Sequence, residues 1–169
     1  LGRLSNLALF ICHVARPPGN VHHSGAVHAS LLAQMKTRLF LVPGRDPEAR
    51  ARRIEALLSE QAGVGKITLM ASTEVFSYAS VEAQAELFRL DTERKARGIH
   101  VLRLSPGCLC CSSKLVLTTH LARTLRLNQP NVLLMELESQ SHPEQVLQLL
   151  KEPQWIDWFA DITLVEDVA

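Results

Sequence analysis

Hydrophobic residues beyond position 35 fall into short runs that are separated by longer amphipathic stretches. Five short, mostly apolar runs predict β-strands, at 37–42, 66–71, 99–104, 131–136 and 161–165. Between them, apolar residues recur at helical spacing and predict helices at 47–61, 80–97, 113–127 and 142–150. A short amphipathic piece carrying Trp155 and Trp158 precedes the last strand. Apolar strands that alternate with helices predict an α/β fold, with a parallel sheet covered by helices on both faces.

Residues that favour helix ends mark the first two predicted helices. Asp46 precedes Pro47 at the start of the first, while Ser80 opens the second and Gly98 closes it. In such folds, ligands bind at the carboxyl ends of the strands. The loops that follow the strands are therefore the places to look for chemistry.

The first 34 residues do not share this pattern. They hold four of the seven histidines, and their apolar run 7–15 is shorter than the roughly 20 residues that span a bilayer. No convincing signal-peptide cleavage site follows. We expect 1–34 to be a disordered tail or sequence foreign to the native protein, and 35–169 to be the folded domain. The alternative is a metal-binding tract formed by His22, His23 and His28.

Charge and cysteine content narrow the possible functions. Lys and Arg number 18 and Asp and Glu number 17, a net charge of +1 that argues against a nucleic-acid surface and a polybasic membrane anchor. Four cysteines in 169 residues are too few for a disulfide scaffold. We therefore expect a cytoplasmic protein with no nucleic-acid and no membrane partner.

Three of the four cysteines lie together after the third predicted strand, as Cys108, Cys110 and Cys111. Thiolates bind soft divalent cations such as Zn²⁺, and a tetrahedral site needs a fourth ligand. Glu138 or His142, after the fourth strand, could supply it, as could Glu136 or a second chain in a homodimer. The alternatives are three free thiols that pack as small hydrophobic groups, or a redox pair, for which the spacing lacks the CxxC pattern.

The segment GCLCC at 107–111 resembles the GCxCC signature of the CobW family, P-loop GTPases implicated in metal trafficking. Downstream, Glu136 and Pro143 match the family's E-x-S-G-x-x-x-P segment, and 161–169 resembles its next strand. The resemblance covers 35–169 and implies a three-layer P-loop-NTPase-like domain with about five strands. It also implies a metallochaperone role in which zinc, or another soft divalent ion, is bound.

The same resemblance places Gly44 at the first glycine of the phosphate loop, and there the motif G-x-x-x-x-G-K-[ST] is degenerate. Ala49 replaces the second glycine, Arg50 the lysine that binds the β- and γ-phosphates, and Ala51 the hydroxyl that holds Mg²⁺. Asp46 also adds negative charge where phosphate would lie. The loop therefore predicts a pseudo-GTPase in which GTP and Mg²⁺ do not bind and no catalytic residue is expected.

Other segments agree with this interpretation. A second glycine-rich stretch, GVGK at 63–66, leads into a strand and is interpreted as a helix end and turn. In the E-x-S-G segment, Glu138 stands at the serine and Ser139 at the glycine, and 72–74 only weakly resembles the family's N-E-x-G segment.

Two groups of basic residues are expected on solvated helix faces. They are Arg50, Arg52 and Arg53, and then Arg94, Lys95 and Arg97.

Three functions are compatible with these observations. The first is a CobW-like metal-binding domain without nucleotide machinery, which buffers zinc or delivers it to a metalloprotein client. The second is a regulatory or scaffolding partner of an intact GTPase relative, with the Trp155 and Trp158 segment either as a contact surface or as ordinary core. The third is an atypical GTP-binding member of the metallochaperone family.

Overall fold

The computed structural model describes residues 36–74, 80–104 and 114–166. Within them, one sheet contains β1 (Thr37–Val42), β2 (Ile67–Ser72), β3 (His100–Leu104), β4 (Val132–Glu136) and β5 (Phe159–Leu164). All pairings are parallel, in the order β3-β2-β4-β1-β5. The predicted parallel α/β sheet of about five strands is confirmed, and β1 has the predicted bounds.

The helices are α1 (Pro47–Glu60), α2 (Val81–Ala96), α3 (Lys114–Arg123), α4 (Pro143–Leu150) and the single turn α5 (Pro153–Ile156). A π-helical turn, Thr124–Asn128, continues α3 to one residue beyond the predicted end of that helix. The Asp46 carboxylate accepts a hydrogen bond from the Glu48 N–H at 2.9 Å, and Ser80 caps α2, as predicted. None of the described helices is both long and apolar enough to cross a membrane.

Alternating side chains along the strands build two apolar cores, one on each face of the sheet. Leu39 and Leu41 of β1 belong to the core that is covered by α3, α4 and α5. Val42 belongs to the core that is covered by α1, which contributes Ile54 and Leu58. The predicted covering of both faces is therefore confirmed, and the domain has three layers.

The turn between α1 and β2 contains the glycine-rich stretch at 63–66. Gly65 has φ +113°, and a Cβ atom there would lie 2.4 Å from Asn131 Oδ1, which accepts a hydrogen bond from the Lys66 N–H at 2.8 Å. The close approach to Asn131 and the left-handed backbone both require glycine. The interpretation of this stretch as a turn is confirmed, since it ends a helix and enters a strand.

Helix α2 is attached to its neighbours largely by ion pairs. Arg94 is only 4% exposed, and its guanidinium lies 2.7 Å from Glu55 of α1 and 2.9 Å from Asp91. Arg103 of β3 also binds Asp91, at 2.7 Å. The prediction that Arg94 lies on a solvated helix face is wrong, because its side chain is buried against Glu55 of α1 and Asp91.

Candidate functional site

Arg50 is a buried cation at the carboxyl end of the sheet. It is 1% exposed and lies on the buried face of α1 with Ile54, Leu57 and Leu58. Residues four, seven and eight positions apart share a helix face, so this placement follows from helical periodicity. The prediction of a solvated face is wrong for Arg50, although Arg52, two residues on, has a side chain that is 71% exposed.

Three loops converge on the Arg50 guanidinium. Its Nη2 lies 2.7 Å from Glu74 Oε2, just after β2, and its Nε lies 3.2 Å from Glu136 Oε1, at the end of β4. Its Nη1 donates a hydrogen bond to the Gly44 carbonyl, after β1, at 2.5 Å. Gly44 has φ +141°, a conformation that favours glycine. Arg50 thus holds together the ends of the three central strands.

The carboxylates around Arg50 have further partners on β2. The backbone N–H of Ser72 donates to Glu136 Oε2 at 2.9 Å, and the Ser72 hydroxyl donates to Glu138 Oε1 at 3.0 Å. Both glutamates are buried, with 6% and 9% of their surface exposed. Buried carboxylates must be paired or hydrogen-bonded to be tolerated, and these contacts meet that requirement.

Glu74 is held ionised by its surroundings. Burial raises the pKa of its carboxyl, but hydrogen bonds from the Ser139 hydroxyl and backbone N–H, together with the Arg50 charge, outweigh burial and bring the pKa below its ordinary value. The Ser139 N–H donates to Glu74 Oε2 at 3.1 Å. We name Arg50, Glu74, Glu136 and Ser139 the arginine cluster.

The arginine cluster adjoins an open cleft of about 650 Å³ between the loops that follow β1 and β4. Gly44 and Arg45 form one wall, and Glu138, Ser141 and His142 belong to the other. The Ser141 hydroxyl is buried and has no hydrogen-bond partner in the structure. The cleft lies where the family resemblance places phosphate, and both predicted fourth metal ligands border it.

The predicted metal ligands are only partly within the described residues. Cys108, Cys110 and Cys111 lie outside them. Glu138 and His142 share the cleft, and His142 Nδ1 lies 3.5 Å from Glu144 Oε1. Within 36–74, 80–104 and 114–166, no three His, Cys, Asp or Glu side chains are grouped to hold a metal ion.

Two members of the arginine cluster were missed as functional residues by sequence reasoning. Glu74 was noted only as part of a weak motif match, and Ser139 only as a replaced glycine. A usable signal was present for Arg50 alone, because its spacing from Ile54 and Leu58 places it on the apolar face of α1. No sequence spacing indicates that Glu74 and Ser139, which are 65 positions apart, form hydrogen bonds.

Comparisons with known proteins agree with this architecture. Residues 57–166 match the family model described as CobW/HypB/UreG, nucleotide-binding domain. A stretch of 63 residues is 36% identical to the zinc chaperone YeiR of Escherichia coli (strain K12) and covers 36% of this chain but only 19% of that protein. No solved structure matches the chain. The family match, with the five-stranded parallel sheet, confirms the predicted P-loop-NTPase-like fold.

Proposed function

Because the chain belongs to the CobW/HypB/UreG family, we propose that it is a metallochaperone-type domain that binds zinc without using a nucleotide. Its role would be to buffer zinc or deliver it to a metalloprotein client. The observation that carries the proposal is the ion pairing of Arg50 with Glu74 and Glu136. The family resemblance implies that Arg50 stands where the phosphate-loop lysine would be.

The arginine cluster opposes the binding of a nucleotide in two ways. A phosphate-loop lysine must reach the β- and γ-phosphates, but three nitrogens of the Arg50 guanidinium are already bound to protein oxygens. Breaking a buried ion pair costs about 3–5 kcal/mol, which phosphate would have to offset. The carboxylates of Glu74 and Glu136 would in addition repel a polyphosphate, and Ala51 offers no hydroxyl to Mg²⁺.

The metal-binding part of the proposal rests on donor chemistry. Cys108, Cys110 and Cys111 would bind Zn²⁺ as thiolates, with Glu138 or His142 as the fourth ligand. Both of these side chains border the cleft that follows β4. The name of the similar protein YeiR, zinc chaperone, supports zinc as the ion.

Metal analysis of the purified chain tests the zinc site. We expect about one zinc ion per chain in the wild type and almost none after Cys108→Ser, Cys110→Ser and Cys111→Ser are combined. Cys12→Ser, outside the proposed site, is the matched control and should leave the zinc content unchanged. Equal zinc in the wild type and the triple variant would contradict the site.

The fourth ligand is identified by zinc competition titrations with Glu138→Gln and His142→Asn. The variant that removes a ligand should weaken zinc binding at least about tenfold. Glu48→Gln is the control, because Glu48 is exposed on α1 and does not border the cleft. If neither variant differs from this control, the fourth ligand comes from elsewhere.

Calorimetry with GTP and Mg²⁺ tests the nucleotide part separately. We expect no binding tighter than roughly 100 μM, which is about −5.5 kcal/mol. Such binding by the wild type would favour the third function, an atypical GTP-binding protein. A variant combining Ala49→Gly, Arg50→Lys and Ala51→Thr shows whether the loop residues alone are responsible.

A second candidate function is a regulatory or scaffolding partner of an intact GTPase relative. Trp155 is buried, but Trp158 is 37% exposed and Ile156 is 53% exposed. Exposed aromatic residues are enriched in interfaces. Trp158→Ser should then abolish binding to a purified GTPase of the family without changing zinc content.

A further inference from the structure

A second concave surface lies on the opposite side of the sheet from α1, between α3 with its π-helical turn and the α5 turn. This groove has a volume of about 560 Å³, and its apolar wall includes Ala122, Leu127 and Trp155. The ion pair between Lys114 and Glu152, at 3.1 Å, links the beginnings of α3 and α5. The groove belongs to neither the cleft nor the arginine cluster.

The apolar surface extends beyond the groove along α3. Leu115 is 77% exposed and precedes Thr118 and Ala122 at spacings of three and seven, which place all three on one helix face. At the other end, Leu127 is 70% exposed. Single exposed leucines are ordinary, but Leu127 lines a groove, and an exposed apolar patch at a groove is typical of an interaction site.

Two cations border this apolar surface. Arg123 and Arg126 line the groove, and neither has an ion-pair or hydrogen-bond partner in the part of the chain that the structure describes. None of the described residues that line the groove carries a carboxylate. The groove therefore presents uncompensated positive charge beside an apolar floor, and the complementary ligand carries both apolar and acidic groups.

Trp155 adds an independent observation. The residue is 7% exposed, and its indole Nε1–H is buried with no acceptor in the structure. A buried donor without an acceptor is destabilising. A bound chain that reaches this N–H with an acceptor would remove that penalty.

We infer that the groove between α3 and α5 binds an acidic, partly apolar peptide segment of a partner protein. An apolar side chain of the segment packs against Leu127 and Trp155, and its carboxylates pair with Arg123 and Arg126. The π-helical turn supports this arrangement, because it carries Arg126 and Leu127 and such irregular turns are common at functional sites. Two arginines on an apolar floor fit a short acidic peptide better than a nucleic acid, which needs a wider basic surface.

The probe is a phage-displayed library of random peptides of roughly a dozen residues, selected on the immobilised full chain. We expect the enriched peptides to combine Asp or Glu with Leu, Ile or Phe. Arg123→Glu with Arg126→Glu should weaken their binding at least about tenfold, which is about 1.4 kcal/mol. Arg52→Glu with Arg53→Glu, on the exposed face of α1, is the matched control and should change binding less than about twofold.

Tryptophan fluorescence reports the location of the bound peptide. The chain has two tryptophans, so Trp158→Phe leaves Trp155 as its only indole. If adding the synthetic peptides changes the Trp155 fluorescence until it saturates, the result supports peptide binding in the groove. Enriched peptides without acidic residues, or equal binding by both arginine double variants, would overturn it. A stable dimer that Arg123→Glu with Arg126→Glu dissociates would also overturn it, since a second copy would then be the occupant.

Discussion

Two buried arginines, Arg50 and Arg94, lie on helices beside the same sheet, and each binds two carboxylates. Arg50 is at the carboxyl end of the strands, next to the cleft, whereas Arg94 joins α2 to α1 on one face. The two clusters look alike in charge chemistry. They differ in the number of guanidinium groups that bind each carboxylate.

The carboxylates around Arg94 are shared with other guanidinium groups. Asp91 is also bound by Arg103 at 2.7 Å, and Glu55 by Arg97 at 3.2 Å. Each would therefore keep a cation if Arg94 were lost. This redundancy is what we expect of a cluster whose role is to attach a helix.

The carboxylates around Arg50 are not shared in this way. Among the described residues, Arg50 is the one cation paired with Glu74 and with Glu136. Removing its charge would leave two carboxylates, one of them 6% exposed, without a counter-ion. The comparison teaches that, among the described residues, Arg50 is the cation that compensates Glu74 and Glu136 at the end of the sheet, where a P-loop enzyme binds phosphate.

The largest expected effect is the loss of Arg50. Arg50→Met should lower the free energy of unfolding by about 3–5 kcal/mol, because it leaves the carboxylates of Glu74 and Glu136 without a counter-ion. Arg94→Met should cost only about 1–2 kcal/mol, because both carboxylates keep a partner. Urea denaturation of the two variants measures both values. Equal losses would contradict the difference between the clusters.

The next largest expected effect is the recovery of stability when a second substitution is added to Arg50→Met. Adding Glu136→Gln to Arg50→Met should recover about 2 kcal/mol, because it removes the more buried of the two uncompensated carboxylates. Glu55→Gln added to Arg94→Met should recover almost nothing, since Arg97 still binds Glu55. If Arg50→Met alone does not fold, regained cooperative unfolding in the double variant is the measured rescue. Equal rescue in both backgrounds would contradict the argument.

A smaller effect is the dependence of stability on Glu74 and pH. The folded-state pKa of Glu74 lies below its ordinary value of 4.5, so its contribution is present above the unfolded pKa and is lost as pH falls through the folded pKa. Glu74→Gln should cost about 1.5 kcal/mol at neutral pH, and its difference from the wild type should vanish at low pH. Denaturation as a function of pH checks this, with the exposed Glu48→Gln as control. A difference that grows on acidification would contradict the sign.

The smallest effect concerns Ser139. Ser139→Ala removes the hydroxyl that donates to Glu74 and should cost about 1 kcal/mol. It should also raise the pKa of Glu74, so that stability is lost at a higher pH than in the wild type. Acid titration followed by circular dichroism measures the midpoint, with Ser59→Ala, whose hydroxyl bonds the exposed Glu55 carbonyl, as control. An unchanged midpoint would show that the Ser139 hydroxyl does not hold Glu74 ionised.

Much of the fold was predictable because its signals are local. Apolar runs such as 37–42 are long enough for a strand and carry no competing helical period, and Asp46 with Pro47 predicts the start of α1. The π-helical turn after α3 was not predictable, since its residues have ordinary helical composition. The site was predictable in part. The sequence predicted that Glu138 and His142 both lie in the loop after the fourth strand, and both border the same cleft in the structure.

The sequence by itself determined the layered α/β architecture, because this depends on residue types and short spacings. Only the tertiary structure decided which carboxylates Arg50 and Arg94 bind. Their carboxylate partners are up to 86 positions away, and parallel strand order brings them together. A guanidinium is equally suited to water or to a buried ion pair, and the choice depends on which carboxylates the fold places beside it.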